Sequence, residues 1–75
     1  MALTEEERKQ IDEWFTYHAP KGDQPQRYVT LRDKAKELAI VIALCCPSSA
    51  DRTSALRKLR ECVMTANASI ALEKE

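Results

Sequence analysis

The chain predicts an all-α protein: a short N-terminal helix followed by an antiparallel helical hairpin. Two stretches repeat apolar residues at alternating spacings of three and four, and a lone proline, Pro47, separates them. The single glycine and the other two prolines all fall within residues 20–25, so the rest is free of helix breakers.

Thr4-Glu5-Glu6-Glu7 fits a capping box, which opens a helix over about residues 4–14. Leu3, Ile11 and Trp14 are its expected apolar contacts. Residues 15–25 hold Pro20, Pro25 and Gly22-Asp23 and read as an ordered loop, rich in aromatics beside the only histidine. A second helix is expected over about 26–46, with Asp23 as its cap and the seam Tyr28, Leu31, Ala35, Leu38, Ile42 and Cys45. Pro47 ends it, because proline disfavours helical backbone at the preceding residue. Ser48 or Ser49 caps a third helix over about 49–73, with the seam Leu56, Leu59, Val63, Ala66 and Ile70. So short a link makes the two long helices antiparallel.

With 75 residues, a chain buries only about 60% of its unfolded surface on folding alone. Ala39, Val41, Ala43, Leu44, Ala55 and Cys62 lie off the two seams. Self-association gives them partners, so a dimer at least is expected. The N-terminus is acidic rather than signal-like, and the most apolar window, Leu38–Cys46, is far shorter than the roughly 20 residues of a membrane span. Three cysteines, two of them adjacent, read as reduced thiols in a cytoplasmic protein.

Catalysis has little support. One histidine without a nucleophile at a recognisable spacing makes no triad. Cys45-Cys46 and Cys62 make no zinc pattern, and no glycine-rich phosphate loop is present. Neither a cofactor nor a metal is expected. A net charge of zero argues against a nucleic-acid polymer as partner. The charge is unevenly spread, however. Residues 1–20 carry five acidic and two basic groups; residues 21–44 carry five basic against three acidic, and residues 51–61 four against two. Pairs three or four apart, such as Asp33–Lys36 and Arg57–Glu61, give the plain reading of a solvated surface.

The loop shifts that reading. It places Phe15, Tyr17 and His18 next to a helix whose first turns bear Arg27, Tyr28, Arg32 and Lys34. Aromatic faces for bases and fixed cations for phosphates are what a nucleotide requires. A compact cyclic nucleotide suits a pocket between protomers, each chain giving a ring and one or two cations.

At these residues the chain resembles a phage family, the small anti-CBASS proteins that act as cyclic-oligonucleotide sponges. The resemblance rests on Phe15-Thr16-Tyr17-His18-Ala19-Pro20-Lys21-Gly22-Asp23-Gln24-Pro25, Arg27-Tyr28, Leu31-Arg32 and Ala35-Lys36-Glu37-Leu38-Ala39. It continues through Cys46-Pro47-x-Ser49, Ala55-Leu56-x-Lys58-Leu59 and Val63-Met64-x-Ala66-Asn67-Ala68-x-Ile70-Ala71. It implies a hairpin protomer assembled into a hexamer, a trimer of dimers. Such proteins bind cyclic dinucleotides such as 3′,3′-cGAMP between protomers, and many hold cyclic trinucleotides in separate pockets. The ligand is sequestered in the host cytoplasm, not destroyed. A related hairpin occurs in anti-Thoeris sponges, which take up cyclic ADP-ribose isomers. A protein-interaction module inhibiting a host protein is the alternative of another class.

The resemblance implies that Tyr17 stacks on a base and that Arg32 or Lys34 holds a phosphodiester, with His18, Lys21 and Tyr28 as further candidates. Two positions depart from the family pattern. Thr65 stands where many relatives have Trp, and Leu72 where they often have Arg. The lost cation bears on the trinucleotide site.

Overall fold

The computed structural model describes residues 2–74. These form three helices, α1 (Glu5–Trp14), α2 (Gln24–Cys45) and α3 (Ala50–Ala71), and no strand. The Thr4 hydroxyl accepts from the Glu7 amide at 3.0 Å, and the Glu7 carboxylate accepts from the Thr4 amide at 2.9 Å. The expected capping box therefore starts α1, and hydrogen bonding from the Thr4 backbone, then from its side chain, holds the Glu7 carboxyl below its ordinary pKa. The Ser49 hydroxyl starts α3 in the same manner, accepting from the Arg52 amide at 3.1 Å. Cys46 is extended (φ −107°, ψ 138°), as a residue before proline must be.

Helix α2 begins at Gln24, earlier than the expected residue 26, and the loop ends at Asp23. Asp23 occupies the cap position, yet its side chain bonds no helix amide. It instead pairs with Arg27, Oδ1 to Nε at 3.2 Å. Gly22 makes the turn into α2 with φ +57°, a conformation that costs a residue with a Cβ about 1 kcal/mol or more.

Helices α2 and α3 form the antiparallel hairpin and are the only helix pair in close contact among the described residues. Its two ends are clasped by side chains that satisfy terminal helix carbonyls. At the tip, Arg52 Nη1 donates to the carbonyls of Ala43 (3.2 Å) and Cys46 (3.5 Å). At the base, Gln24 is the most buried described residue, 3% exposed. Its Nε2 donates to the Ile70 carbonyl at 3.0 Å and to Glu73 at 3.4 Å, while its Oε1 accepts from the Lys21 amide at 3.1 Å. Arg27 grips both oxygens of Glu73, one through Nη1 at 3.2 Å and the other through Nη2. That pairing and the Gln24 bond lower the Glu73 pKa.

The α3 seam is the expected one: Leu56, Leu59, Val63, Ala66 and Ile70 are all half-buried. The α2 seam departs from expectation at two places. Ala39, not Leu38, faces α3, and Cys45 is exposed. Both Leu38 and Ala39 satisfy a three-four spacing after Ala35; the small residue is the one turned inward. Helix α1 also differs, since Leu3, Ile11 and Trp14 remain exposed rather than packed.

No described hydrophobic residue is buried. The radius of gyration is 16.6 Å, where a compact domain of this length has roughly 11 Å. The chain exposes 6513 Å², against about 4,700 Å² for a compact monomer of its mass. The chain is a flat, open bracket of 48 × 37 × 14 Å.

Candidate functional site

The loop from Phe15 to Asp23 is fixed by side chains that reach back to the end of α1. The Thr16 hydroxyl donates to the Asp12 carbonyl. His18 Nε2 lies 2.8 Å from the Glu13 carbonyl; a carbonyl only accepts, so Nε2 carries the hydrogen. Tyr17 stands between these two anchors and is 83% exposed. Its backbone is tethered on both sides while its ring is left to the outside.

Tyr17 borders two concavities. One, of about 540 Å³, is polar: Glu13, His18, Lys21, Glu73 and Lys74 share its wall. Its charges are mutually engaged, with Lys74 3.7 Å from Glu13 and Glu73 held by Arg27. The other, of about 670 Å³, is an apolar cleft between the loop and the last turns of α3, bordered by Trp14, Thr65, Ala68 and Leu72. Thr65 and Leu72 thus open on the same cleft, with Trp14 of α1 on its wall.

The remaining candidates are dispersed. Lys21 lies beside Glu73, whose pKa it helps to lower. Tyr28 is half-buried in the hairpin seam. Lys34 pairs with Glu37 at 3.4 Å, and both are well exposed. Arg32 is exposed and borders a different concavity, a groove of about 410 Å³ on one side of the α2–α3 seam. The single chain therefore brings Tyr17, His18 and Lys21 together and leaves Arg32 apart from them. The expected pairs Asp33–Lys36 and Arg57–Glu61 do not form among the described residues; the ion pair in that part of α2 is Lys34–Glu37.

Sequence reasoning missed the groove's other members. Lys36 and Arg60 flank it with Arg32, over a floor that includes Ala35, Ala39, Val63 and Met64. Arg32 and Lys36 are four apart, a visible signal of a shared face, but Arg60 joins them only through the hairpin register. Among the described residues no cluster of histidine, cysteine and carboxylate side chains could hold a metal ion, and no helix is long and apolar enough to cross a membrane.

Residues 7–71 match the family described as Acb2/Tad1, hairpin domain. The chain belongs to that family. Acb2/Tad1 proteins are anti-CBASS and anti-Thoeris sponges of phages, which bind cyclic-nucleotide signals rather than transform them. The match takes in all of α2, α3 and the loop and most of α1. No curated protein and no solved structure is significantly similar to the chain.

Proposed function

We propose that this protein is a non-catalytic sponge for cyclic dinucleotides such as 3′,3′-cGAMP, and that its site is built between copies of the chain. The carrying observation is the separation of its two halves. Tyr17 offers an exposed ring on a tethered loop, while the unpaired Arg32 guanidinium lies in another concavity. The walls around Tyr17 include Glu13 and Glu73, which disfavour a phosphate there. A second copy that lays its Tyr17 over the first chain's groove supplies ring and cation to one ligand. The same association covers Leu44, Val41 and Ile40, which are exposed on α2, and accounts for the lack of any buried hydrophobic residue among those described.

Sequestration demands affinity. A Kd near 1 nM corresponds to about −12 kcal/mol, within reach of stacking and charge-assisted bonds from two chains only if the pocket is formed beforehand. The His18 and Thr16 tethers lower the cost of holding Tyr17 in place. A homo-hexamer, a trimer of dimers, in the host cytoplasm is the assembly this reading adopts. Trinucleotide binding is the weaker activity, since Leu72 gives no cation to the cleft it borders.

The test uses the full chain with a panel of cyclic di- and trinucleotides and cyclic ADP-ribose isomers. Thermal shift is measured first, and the ligand is then recovered after heat denaturation. A large shift with intact dinucleotide returned supports the sponge. A linearised product means an enzyme, a preference for cyclic ADP-ribose isomers moves the chain to the anti-Thoeris ligand class, and no shift with any compound favours a protein partner. In the same assay Tyr17→Ala is expected to weaken dinucleotide binding by about 10- to 100-fold, the worth of one or two stacked bases. The mass in light scattering should not change. Unaltered affinity by calorimetry would assign Tyr17 to packing.

A further inference from the structure

Each cation of the hairpin can be sorted by what it touches. Arg27 binds Asp23 and Glu73, Lys34 binds Glu37, Arg52 binds the carbonyls at the end of α2, and Lys58 donates to the Ser54 hydroxyl at 3.0 Å. Arg32, Lys36, Arg57 and Arg60 have no hydrogen bond or ion pair among the described residues. Three of these four border the one groove on the α2–α3 seam, and no carboxylate borders it. Like charges gathered without a counter-ion repel one another and disfavour the fold. Their convergence makes sense when an anion with more than one negative group occupies the groove.

We infer that Lys36 and Arg60 bind the ligand together with Arg32, so that the seam groove holds both phosphodiesters of one cyclic dinucleotide. This rests on the sponge reading above. The groove's chemistry suits that occupant on both counts. Three cations and six apolar residues line it, among them the small Ala35 and Ala39 and the exposed Met64. A methionine thioether is polarisable and makes favourable contacts with π faces. A cyclic ligand carries its two phosphodiesters close together on a compact ring, which matches a short groove with cations on both helices. A linear strand spreads the same charges along its length.

The test compares wild type, Lys36→Gln, Arg60→Gln, Lys36→Arg and Arg60→Lys for 3′,3′-cGAMP and for its linear opened form. Calorimetry is run at several salt concentrations. Both glutamine variants are expected to bind cGAMP about tenfold more weakly, with a flatter salt dependence and unchanged unliganded thermal midpoints. The charge-conserving variants should recover most of the affinity and the slope. Binding by wild type that both glutamine variants retain in full would overturn this inference and leave the sponge reading intact. Equal affinity for the linear form would overturn the cyclic specificity proposed here. If wild type bound no cyclic nucleotide, both readings would fall together.

Discussion

The base of the hairpin and the groove halfway along it put arginines five residues apart on α2 to opposite uses. At the base, Arg27 is spanned by Asp23 on one side and Glu73 on the other, and Gln24 beside it is almost wholly buried. At the groove, Arg32 has no hydrogen-bonded or ion-paired carboxylate, none lines the groove, and two further free cations share it. The first region pairs its arginine with carboxylates of its own chain, one of them just beyond α3, and thereby ties α2 to the end of α3. The second leaves its charges for something outside. A cation's role here is set by whether the fold delivers a partner, and that depends on residues far along the sequence.

The contrast is broken most sharply by exchanging the two losses. Arg32→Ala should weaken dinucleotide binding by about 10- to 100-fold, the range for one charge-assisted bond to phosphate. Its unliganded thermal midpoint should not fall. Arg27→Ala should do the reverse, lowering the midpoint while leaving residual affinity near that of wild type at temperatures where the protein is folded. Calorimetry and thermal denaturation on the same two variants check this. The comparison collapses if both arginines move the same observable.

Next in size is Gln24→Ala. It removes a donor to the Ile70 carbonyl and an acceptor from the Lys21 amide at the most buried described position. The cost is about 2 kcal/mol, because the stranded carbonyl and amide lose partners in a site that water reaches poorly. Denaturation should be followed at several protein concentrations, since association couples stability to protomer concentration. A loss under about 0.5 kcal/mol would show that water replaces the side chain and that the base is not held by it.

The sequence disclosed what is local. Thr4 with Glu7, a serine before α3 and Pro47 after Cys46 each act within a turn of their own position, and each appears in the expected place, the structure choosing Ser49 over Ser48. The α3 seam was equally legible because its large apolar residues recur at three-four spacings and are separated by charged and polar ones such as Arg57, Lys58, Arg60 and Glu61. On α2 the stretch from Leu38 to Leu44 is apolar on nearly every side, so periodicity could not choose between Leu38 and Ala39. The choice follows from how closely α3 approaches. The pattern puts Leu3, Ile11 and Trp14 of α1 in packing contacts, yet all three stay exposed and no described helix packs closely on α1. At the candidate site, the loop residues could be gathered from adjacency alone. The partnering of Lys34 with Glu37 and the meeting of Arg60 with Arg32 and Lys36 depend on rotamers and on register across the turn, which no spacing rule encodes.

The smallest effect separates the two regions by pH. The Glu73 carboxyl has its pKa lowered first by the hydrogen bond from Arg27, then by the one from Gln24. A depressed folded pKa means that the unfolded chain binds the proton more readily, so stability gained from this carboxylate is complete above the ordinary value of 4.5. It is lost as pH falls through the lowered folded value. The Glu7 carboxyl, lowered by its Thr4 bonds, acts in the same window and the same direction. Glu73→Gln should therefore reduce the fall in thermal midpoint between about pH 5 and pH 3, without shifting the midpoint's response to pH above that range. No carboxylate lines the groove, so wild type should bind dinucleotide with nearly constant affinity over the part of that window in which the protein remains folded. An acid limb identical in Glu73→Gln and wild type would show that the Arg27–Glu73 pair is fully exchanged with solvent and does not hold the base of the hairpin.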